Sequence, residues 1–195
     1  MGRRICSERN ILICLYLTIF LLPLSSWLFY FALVPAALLS MGDIFLTKRK
    51  VNYGGKWGRF GGGFLICSLL SVSGAADFFF SIFNWCFLPL VYAFLYVLIS
   101  TYLAGEDEKR KALYVFLAGA VCVVIWGVIQ YADAGCMARD LNAEGWVDPE
   151  RFPLLRRRMF STLGNPNLFG AYLLMLISVF APFALGERNN KRKIL

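Results

Sequence analysis

The sequence predicts an all-α protein, a polytopic bundle of about six transmembrane helices with both ends in the cytoplasm. Apolar residues make up 59% of the chain, charged residues only 16%, and the mean hydropathy is +0.63. A soluble domain cannot bury so much apolar surface, because about a third of its unfolded surface stays wet after folding. Several apolar runs reach the roughly 20 residues that a membrane-spanning helix needs. They lack the strict alternation of a transmembrane barrel, which leaves helices.

The first apolar run extends from Ile11 to Leu46 and is too long for a single span. It would form one helix of ~54 Å, whereas the hydrocarbon core of a bilayer is about 30 Å thick. Pro23 lies where a break is needed, since proline removes a backbone hydrogen bond and clashes with the preceding turn. We therefore predict a first helix over residues 10–24 and a second over residues 27–46.

The other helices follow from the remaining apolar runs and are joined by short connections, with one exception. They are predicted over residues 60–72, 81–103, 112–131 and 166–185. The long connection divides the chain into a five-helix membrane region (1–131), an extracytoplasmic loop with an arginine cluster (132–165), and a sixth helix with a basic cytoplasmic tail (166–195).

The basic residues predict the direction of the spans. Most of the 20 lie in alternate segments: the N-terminal tail, residues 48–59, residues 109–111 and the C-terminal tail. Six spans place these segments on one side, which the positive-inside rule assigns to the cytoplasm. Five spans would separate residues 48–59 from the N-terminal arginines, so the charge pattern supports the break at Pro23. The net charge of +8 is thereby explained without nucleic-acid binding.

The sequence predicts neither a metal nor a cofactor. Histidine is absent, and the six cysteines include no CxxC pair. Two acidic residues lie near the ends of predicted helices. We interpret Asp43 as solvated and Asp77 as part of the turn between the third and fourth helices.

The loop over residues 132–165 departs from the positive-inside rule, because it carries five arginines, three of them adjacent at Arg156–Arg158. One interpretation is that nearby acids balance them and that arginines near a span reach lipid phosphates. The other is an anion site. Asn165 and Pro166 favour the second, because they suit the N-cap and first position of a helix. Helix N-termini hold phosphates through free N–H groups and a partial positive charge.

A diphosphate site is therefore predicted at the start of the sixth helix. Arginine suits it, because the planar guanidinium binds phosphate through two parallel hydrogen bonds. The predicted ligands are Arg157, Arg158, Ser161 and Thr162, and the predicted helix start consists of Gly164, Asn165, Pro166 and Asn167. The sequence identifies no catalytic residue.

The stretch RMFSTLGNPNLFGAYLL, residues 158–174, resembles the start of the core domain in the O-antigen ligase and O-antigen polymerase superfamily of bacterial envelope enzymes. Residues 127–131 also resemble the end of the preceding helix in that superfamily. The positions that match its motif are Arg158, Ser161, Thr162, Gly164, Asn165, Pro166, Asn167, Gly170, Tyr172 and Leu173.

The resemblance implies a multi-pass protein of the bacterial inner membrane that transfers or polymerises undecaprenyl-diphosphate-linked glycans in envelope polysaccharide synthesis, without a metal ion. Its partners would be membrane lipids and the polyprenyl-diphosphate-linked glycan. Complete members carry an acid/base residue, often histidine, in an external loop nearer the C-terminus. This chain has no histidine, so the resemblance implies the N-terminal half of such an enzyme, with a missing C-terminal half or a partner chain. Whether it is itself an enzyme stays open. A half-transporter or flippase subunit and a non-catalytic membrane scaffold are the alternatives.

Overall fold

The computed structural model describes residues 2–132 and 159–192, and the regular elements in these ranges are helical. Within them, three segments are long and apolar enough to cross a membrane: Trp27–Thr47, Phe78–Tyr102 and Glu106–Ala132. The chain is thus a helical membrane protein, as its composition predicts. The helices are α1 (Gly2–Leu21), α2 (Ser26–Thr47), α3 (Gly55–Val72), α4 (Phe78–Phe87), α5 (Pro89–Tyr102), α6 (Glu106–Ala132) and α7 (Pro166–Arg192), and a 3-10 turn (Ser161–Leu163) precedes α7.

The predicted break between the first two helices is confirmed. α1 ends at Leu21, Pro23 lies in the following turn, and α2 begins at Ser26. The helices α1, α3 and α6 begin earlier than predicted, because each continues through charged residues that flank its apolar run. In α6 the added turn begins with three acids, Glu106–Glu108, whose charge the positive end of the helix dipole stabilises.

The predicted fourth helix is divided into α4 and α5 by a break at Leu88, within the 25-residue segment Phe78–Tyr102. Leu88 has φ −110° and ψ −81°, and Pro89 begins α5. A residue before proline is disfavoured in the helical conformation, which explains the position of the break. The hydroxyl of Tyr30 donates to the carbonyl oxygen of Phe87 at 2.9 Å. A neighbouring helix thus satisfies a carbonyl at the break, as a non-aqueous surrounding requires.

The chain forms two compact units. The first comprises Met1–Leu21 and Trp27–Val115, and the second comprises Leu22–Ser26 and Phe116–Leu195. In the first, α3 packs on α4 and α5, and α1 packs on α5. In the second, α7 packs on the 3-10 turn. Large apolar side chains such as Phe79, which is 82% exposed, cover the outside of the helices, as expected for a surface in contact with lipid.

The interpretation of Asp43 as solvated is wrong. Asp43 is only 6% exposed, and its Oδ2 accepts a hydrogen bond from the Tyr102 hydroxyl at 3.1 Å. Arg49 supplies the opposite charge, with Nε 3.2 Å from the same oxygen and Nη2 2.8 Å from Glu8 Oε1. Lys48 has a φ of 52°, and this left-handed residue turns the chain back after α2. A buried carboxylate is tolerated here because it is both paired and hydrogen-bonded.

Arg49 keeps its charge in this cluster. Partial burial opposes the charge, but the hydrogen bond and charge of Glu8, with the charge of Asp43, outweigh it and raise the pKa of the guanidinium. The guanidinium also lies 4.8 Å from the centre of the Tyr102 ring. Asp77, by contrast, lies in the turn between α3 and α4 as predicted, and its Oδ1 accepts from Phe80 N at 2.9 Å as the N-cap of α4.

Candidate functional site

The turn before α7 is held by one side chain of α6. The Oε1 atom of Gln130 accepts hydrogen bonds from the backbone N–H groups of Ser161 at 2.9 Å and Phe160 at 3.2 Å. Gln130 is 1% exposed, so water does not compete for these bonds. The position of the chain at Phe160, two residues after Arg158, is therefore fixed against α6.

Two hydroxyl groups form further hydrogen bonds that hold this turn. The Ser161 hydroxyl donates to the carbonyl oxygen of Val123 at 2.5 Å, and the Thr162 hydroxyl donates to that of Pro23 at 2.8 Å. Ser161 has a φ of 53°, which is uncommon for a residue other than glycine. Such a conformation persists only where the surroundings determine it, and here the bonds of its N–H and hydroxyl groups do so.

Gly127 allows the turn to approach α6 closely. A Cβ at this position would lie 3.1 Å from Cζ of Phe169 and 3.5 Å from Cβ of Ser161. Phe169 and Ser161 are both buried. A Cβ alone would require the Phe169 ring to shift slightly, and a side chain as large as leucine would push α7 or the turn away from α6.

The N-terminus of α7 has the predicted cap. Asn165 Oδ1 accepts from the N–H groups of Asn167 at 2.8 Å and Leu168 at 3.4 Å, and Asn165 O accepts from Phe169 N at 2.9 Å. Pro166 occupies the first helical position, and Gly164 adopts a φ of 66° before the cap. Because Asn165 accepts from these N–H groups, an anion at this end is attracted by the partial charge of the helix rather than by free N–H donors of the first turn.

A depression of about 370 Å³ lies beside this helix start, within the size range of small-molecule sites. Its walls come from the end of α6, from the residue that follows Arg158, and from the first two turns of α7. They are mostly apolar, with an amide and a phenol as polar groups. The lining residues are Tyr131, Met159, Pro166, Asn167, Phe169, Gly170 and Leu173.

Comparisons with models of protein families, with curated proteins and with solved structures find no match to this chain.

Some of the predicted site residues lie within the part of the chain that the structure describes, and others lie outside it. Arg157 and Arg158 lie outside the described residues, so their part in diphosphate binding stays a prediction. Ser161 and Thr162 lie together in the turn, where both hydroxyls donate to backbone carbonyls. The helix-start residues are where the sequence places them, with Gly164 and Asn165 between the turn and α7 and with Pro166 and Asn167 as the first residues of α7.

Gln130 was not among the predicted site residues, although residues 127–131 carried part of the resemblance. Its polar amide, at the end of an otherwise apolar run, was the feature of the sequence that could have indicated a structural role. Tyr172, a motif residue in α7, packs edge-on against Phe116 with ring centres 6.5 Å apart. Among the described residues, no three potential ligands cluster to hold a metal ion.

Proposed function

We propose that this protein binds polyprenyl-diphosphate-linked glycans at the extracytoplasmic ends of α6 and α7 and takes part in their transfer or polymerisation. The chain would cross the bacterial inner membrane six times, with both termini in the cytoplasm and the α6–α7 connection outside. One observation carries the proposal. The two segments that resemble the O-antigen ligase and polymerase superfamily, residues 127–131 and 158–174, contact each other through Gln130 and Ser161 beside a ligand-sized depression.

The hydrogen-bonded turn supports a positioning role for its polar residues. Gln130, Ser161 and Thr162 fix the backbone immediately after the arginines, while Arg157 and Arg158 bind the diphosphate. A fixed attachment point reduces the conformational entropy that the arginines lose when they bind. The apolar wall of Phe169 and Leu173 suits the first isoprenoid units of the lipid.

The reaction of an intact enzyme of this kind balances without a redox partner. The bond between the anomeric carbon and the diphosphate oxygen breaks, and the acceptor hydroxyl forms a new bond at that carbon with inversion. The hydroxyl proton passes to a base, for which the sequence of this chain identifies no residue. Arg157 and Arg158 stabilise the negative charge that develops on the leaving diphosphate.

Binding of undecaprenyl diphosphate to the purified chain in nanodiscs tests the proposal. We expect Arg157→Ala and Arg158→Ala each to weaken binding about 10- to 100-fold, the value of a charge-assisted hydrogen bond of ~1.5–3 kcal/mol. Arg139→Ala, from the same loop, is the matched control and should bind as the parent does. Undecaprenol, which lacks phosphate, should bind weakly to all of them.

Equal binding of undecaprenyl diphosphate by the parent and by an Arg157→Ala/Arg158→Ala double variant would rule the site out. A parent protein whose melting temperature does not rise with the ligand would favour a non-catalytic scaffold, since a ligand bound only by the folded state must stabilise it.

One observation favours the half-transporter alternative, namely the break at Leu88 within a membrane span. Transporters place such breaks at their binding sites, where half-helix ends and unwound carbonyls hold the substrate. Here the Tyr30 hydroxyl donates to the Phe87 carbonyl, and the neighbouring side chains are apolar. Transport of a water-soluble solute by reconstituted protein, abolished by Pro89→Ala, would support this alternative.

A further inference from the structure

One side of α4 carries an amide among exposed aromatic side chains. Asn84 lies between Phe80 and Phe87, which are 67% and 48% exposed, and spacings of four and three residues place all three on one face. We call these three residues the Asn84 face. The side of α4 that packs on α3 is marked by Trp85, whose Nε1 donates to Oγ of Ser68 at 2.9 Å. At about 100° per residue, the Asn84 face lies about 100–160° around the helix from Trp85, so it is turned away from α3.

The Asn84 face lies within a membrane span. The segment Phe78–Tyr102 is 25 residues long and contains no charged residue. As a helix it is ~37 Å long, whereas the hydrocarbon core of a bilayer is about 30 Å thick. If the segment is centred in the bilayer, Asn84 lies roughly 5 Å inside the core. Lipid chains at this depth offer the amide no hydrogen-bond partner.

The amide of Asn84 is only partly satisfied by its own helix. Its Nδ2 donates to the carbonyl oxygen of Phe80 at 2.9 Å. In the part of the chain that the structure describes, the Oδ1 atom has no hydrogen-bond partner, and none of the ten residues of α4 is buried. A polar group without a partner is costly in an apolar surrounding. Amides in membrane helices reduce this cost by bonding to a neighbouring helix.

We propose that the Asn84 face is an interface with a second copy of this chain, in which the two Asn84 amides bond to each other. An amide carries donors and an acceptor, so the Nδ2 atom of each copy donates to the Oδ1 atom of the other. A two-fold axis along the membrane normal brings the same face of both copies together, as their common direction of insertion requires. Phe80 and Phe87 then pack around the amides and exclude lipid from them.

A second copy suits this face better than the other possible occupants. Lipid would leave the Oδ1 atom of Asn84 without a partner. Residues 133–158, which lie outside the described ranges, are rich in charged residues, and these are costly beside an apolar helix inside the membrane. A different protein would need its own donor and acceptor at this depth, whereas a second copy supplies both by symmetry. The interface does not involve the turn before α7 and is independent of the proposed function.

Energy transfer between donor-labelled and acceptor-labelled full chains in lipid vesicles tests the proposal. Measuring the transfer as lipid is added gives the association constant of the dimer. Asn84→Leu removes the amide and introduces an apolar residue that favours helices, so the variant should insert and fold. Cys86→Leu is the matched control, because Cys86 is exposed and lies about 160° around α4 from Asn84. Asn84→Gln keeps both the donor and the acceptor.

We expect the parent and Cys86→Leu to form dimers with the same association constant. Asn84→Leu should lower this constant at least about tenfold, the value of two hydrogen bonds between membrane helices. Asn84→Gln should retain most of the association. A parent chain that stays monomeric at every ratio of lipid to protein would overturn the proposal and leave the face to lipid or to another protein. Equal association of the parent and Asn84→Leu would also overturn it.

Discussion

Replacing Gln130 with leucine tests whether one side chain holds the turn before α7. Leucine is close to glutamine in length but has no acceptor, so the N–H groups of Phe160 and Ser161 lose their common partner. Both residues are 4% exposed, and water cannot replace the lost bonds without opening the turn. The turn should then either loosen or leave two buried donors without partners.

The magnitude follows from the two bonds. An unsatisfied buried donor costs roughly 1–3 kcal/mol, and the bond to Phe160 N, at 3.2 Å, belongs at the weak end. We therefore expect Gln130→Leu to lower the free energy of unfolding by about 2–4 kcal/mol. For a chain of this size, each kcal/mol corresponds to about 2–4 °C, so the melting temperature should fall by roughly 5–15 °C.

Thermal melting of the purified protein in detergent, followed by tryptophan fluorescence, measures this change. Ile129→Leu, at the neighbouring half-exposed position, should melt close to the parent because it conserves volume. If Gln130→Leu melted within about 2 °C of the parent, the two hydrogen bonds would not hold the turn and the reasoning would fail.

Three further substitutions follow from the packing. Arg49→Met should lower the free energy of unfolding by about 3–5 kcal/mol, because it leaves Asp43 buried without an opposite charge. Adding Asp43→Leu to the same chain should restore most of this free energy, as measured by chemical denaturation. Gly127→Leu should cost about 1–3 kcal/mol by overpacking against α7, whereas Gly170→Leu, where a Cβ has no atom within 4 Å, should not lower the melting temperature. Tyr30→Phe removes the hydroxyl that bonds to the helix break and should cost about 1 kcal/mol, read from the same melting curves.

The prolines show how far the helix boundaries could be predicted. Pro23 ends a helix as predicted, Pro35 lies inside α2 without ending it, and Pro89 begins α5 within a predicted single helix. Each of these prolines lacks the N–H of a regular helical residue, but only Pro23 and Pro89 of the three lie at a helix boundary. At Pro89 the residue before the proline is a local signal for a break, but the Tyr30 hydroxyl lies 57 residues from the carbonyl it bonds, so local sequence could not reveal this partner.

The distinction between local patterns and contacts of distant segments also explains which features of the site could be predicted. The cap at Asn165 and Pro166 is a local pattern, and the sequence predicted it correctly. The bond of Ser161 to Gln130 joins residues 31 apart, and that of Thr162 to Pro23 joins residues 139 apart. Residue type alone suggested phosphate binding for Ser161 and Thr162, whereas their observed partners depend on the packing of distant segments.

The burial of Asp43 was unpredictable for a related reason. Its position near the end of an apolar run indicated solvent, because an isolated carboxylate is costly to bury. The return of the chain at Lys48 brings Arg49 over Asp43, and the Tyr102 hydroxyl adds a hydrogen bond from α5. Charge compensation by residues from separate segments removes the penalty on which the sequence argument depended.

Because the polar groups of the turn already bond to the protein, we expect its contribution to the proposed ligand binding to be positional. The Ser161 and Thr162 hydroxyls donate to carbonyls, and the Asn165 side chain accepts from the first turn of α7. On the proposed function, recognition of a diphosphate comes from Arg157 and Arg158, which precede this turn in the chain. Loosening the turn would lower the affinity for every ligand that the arginines bind by a similar factor, since the arginines lose their preorganisation. Removing an arginine would instead narrow the difference in affinity between a diphosphate and the corresponding alcohol, because only the charge distinguishes them.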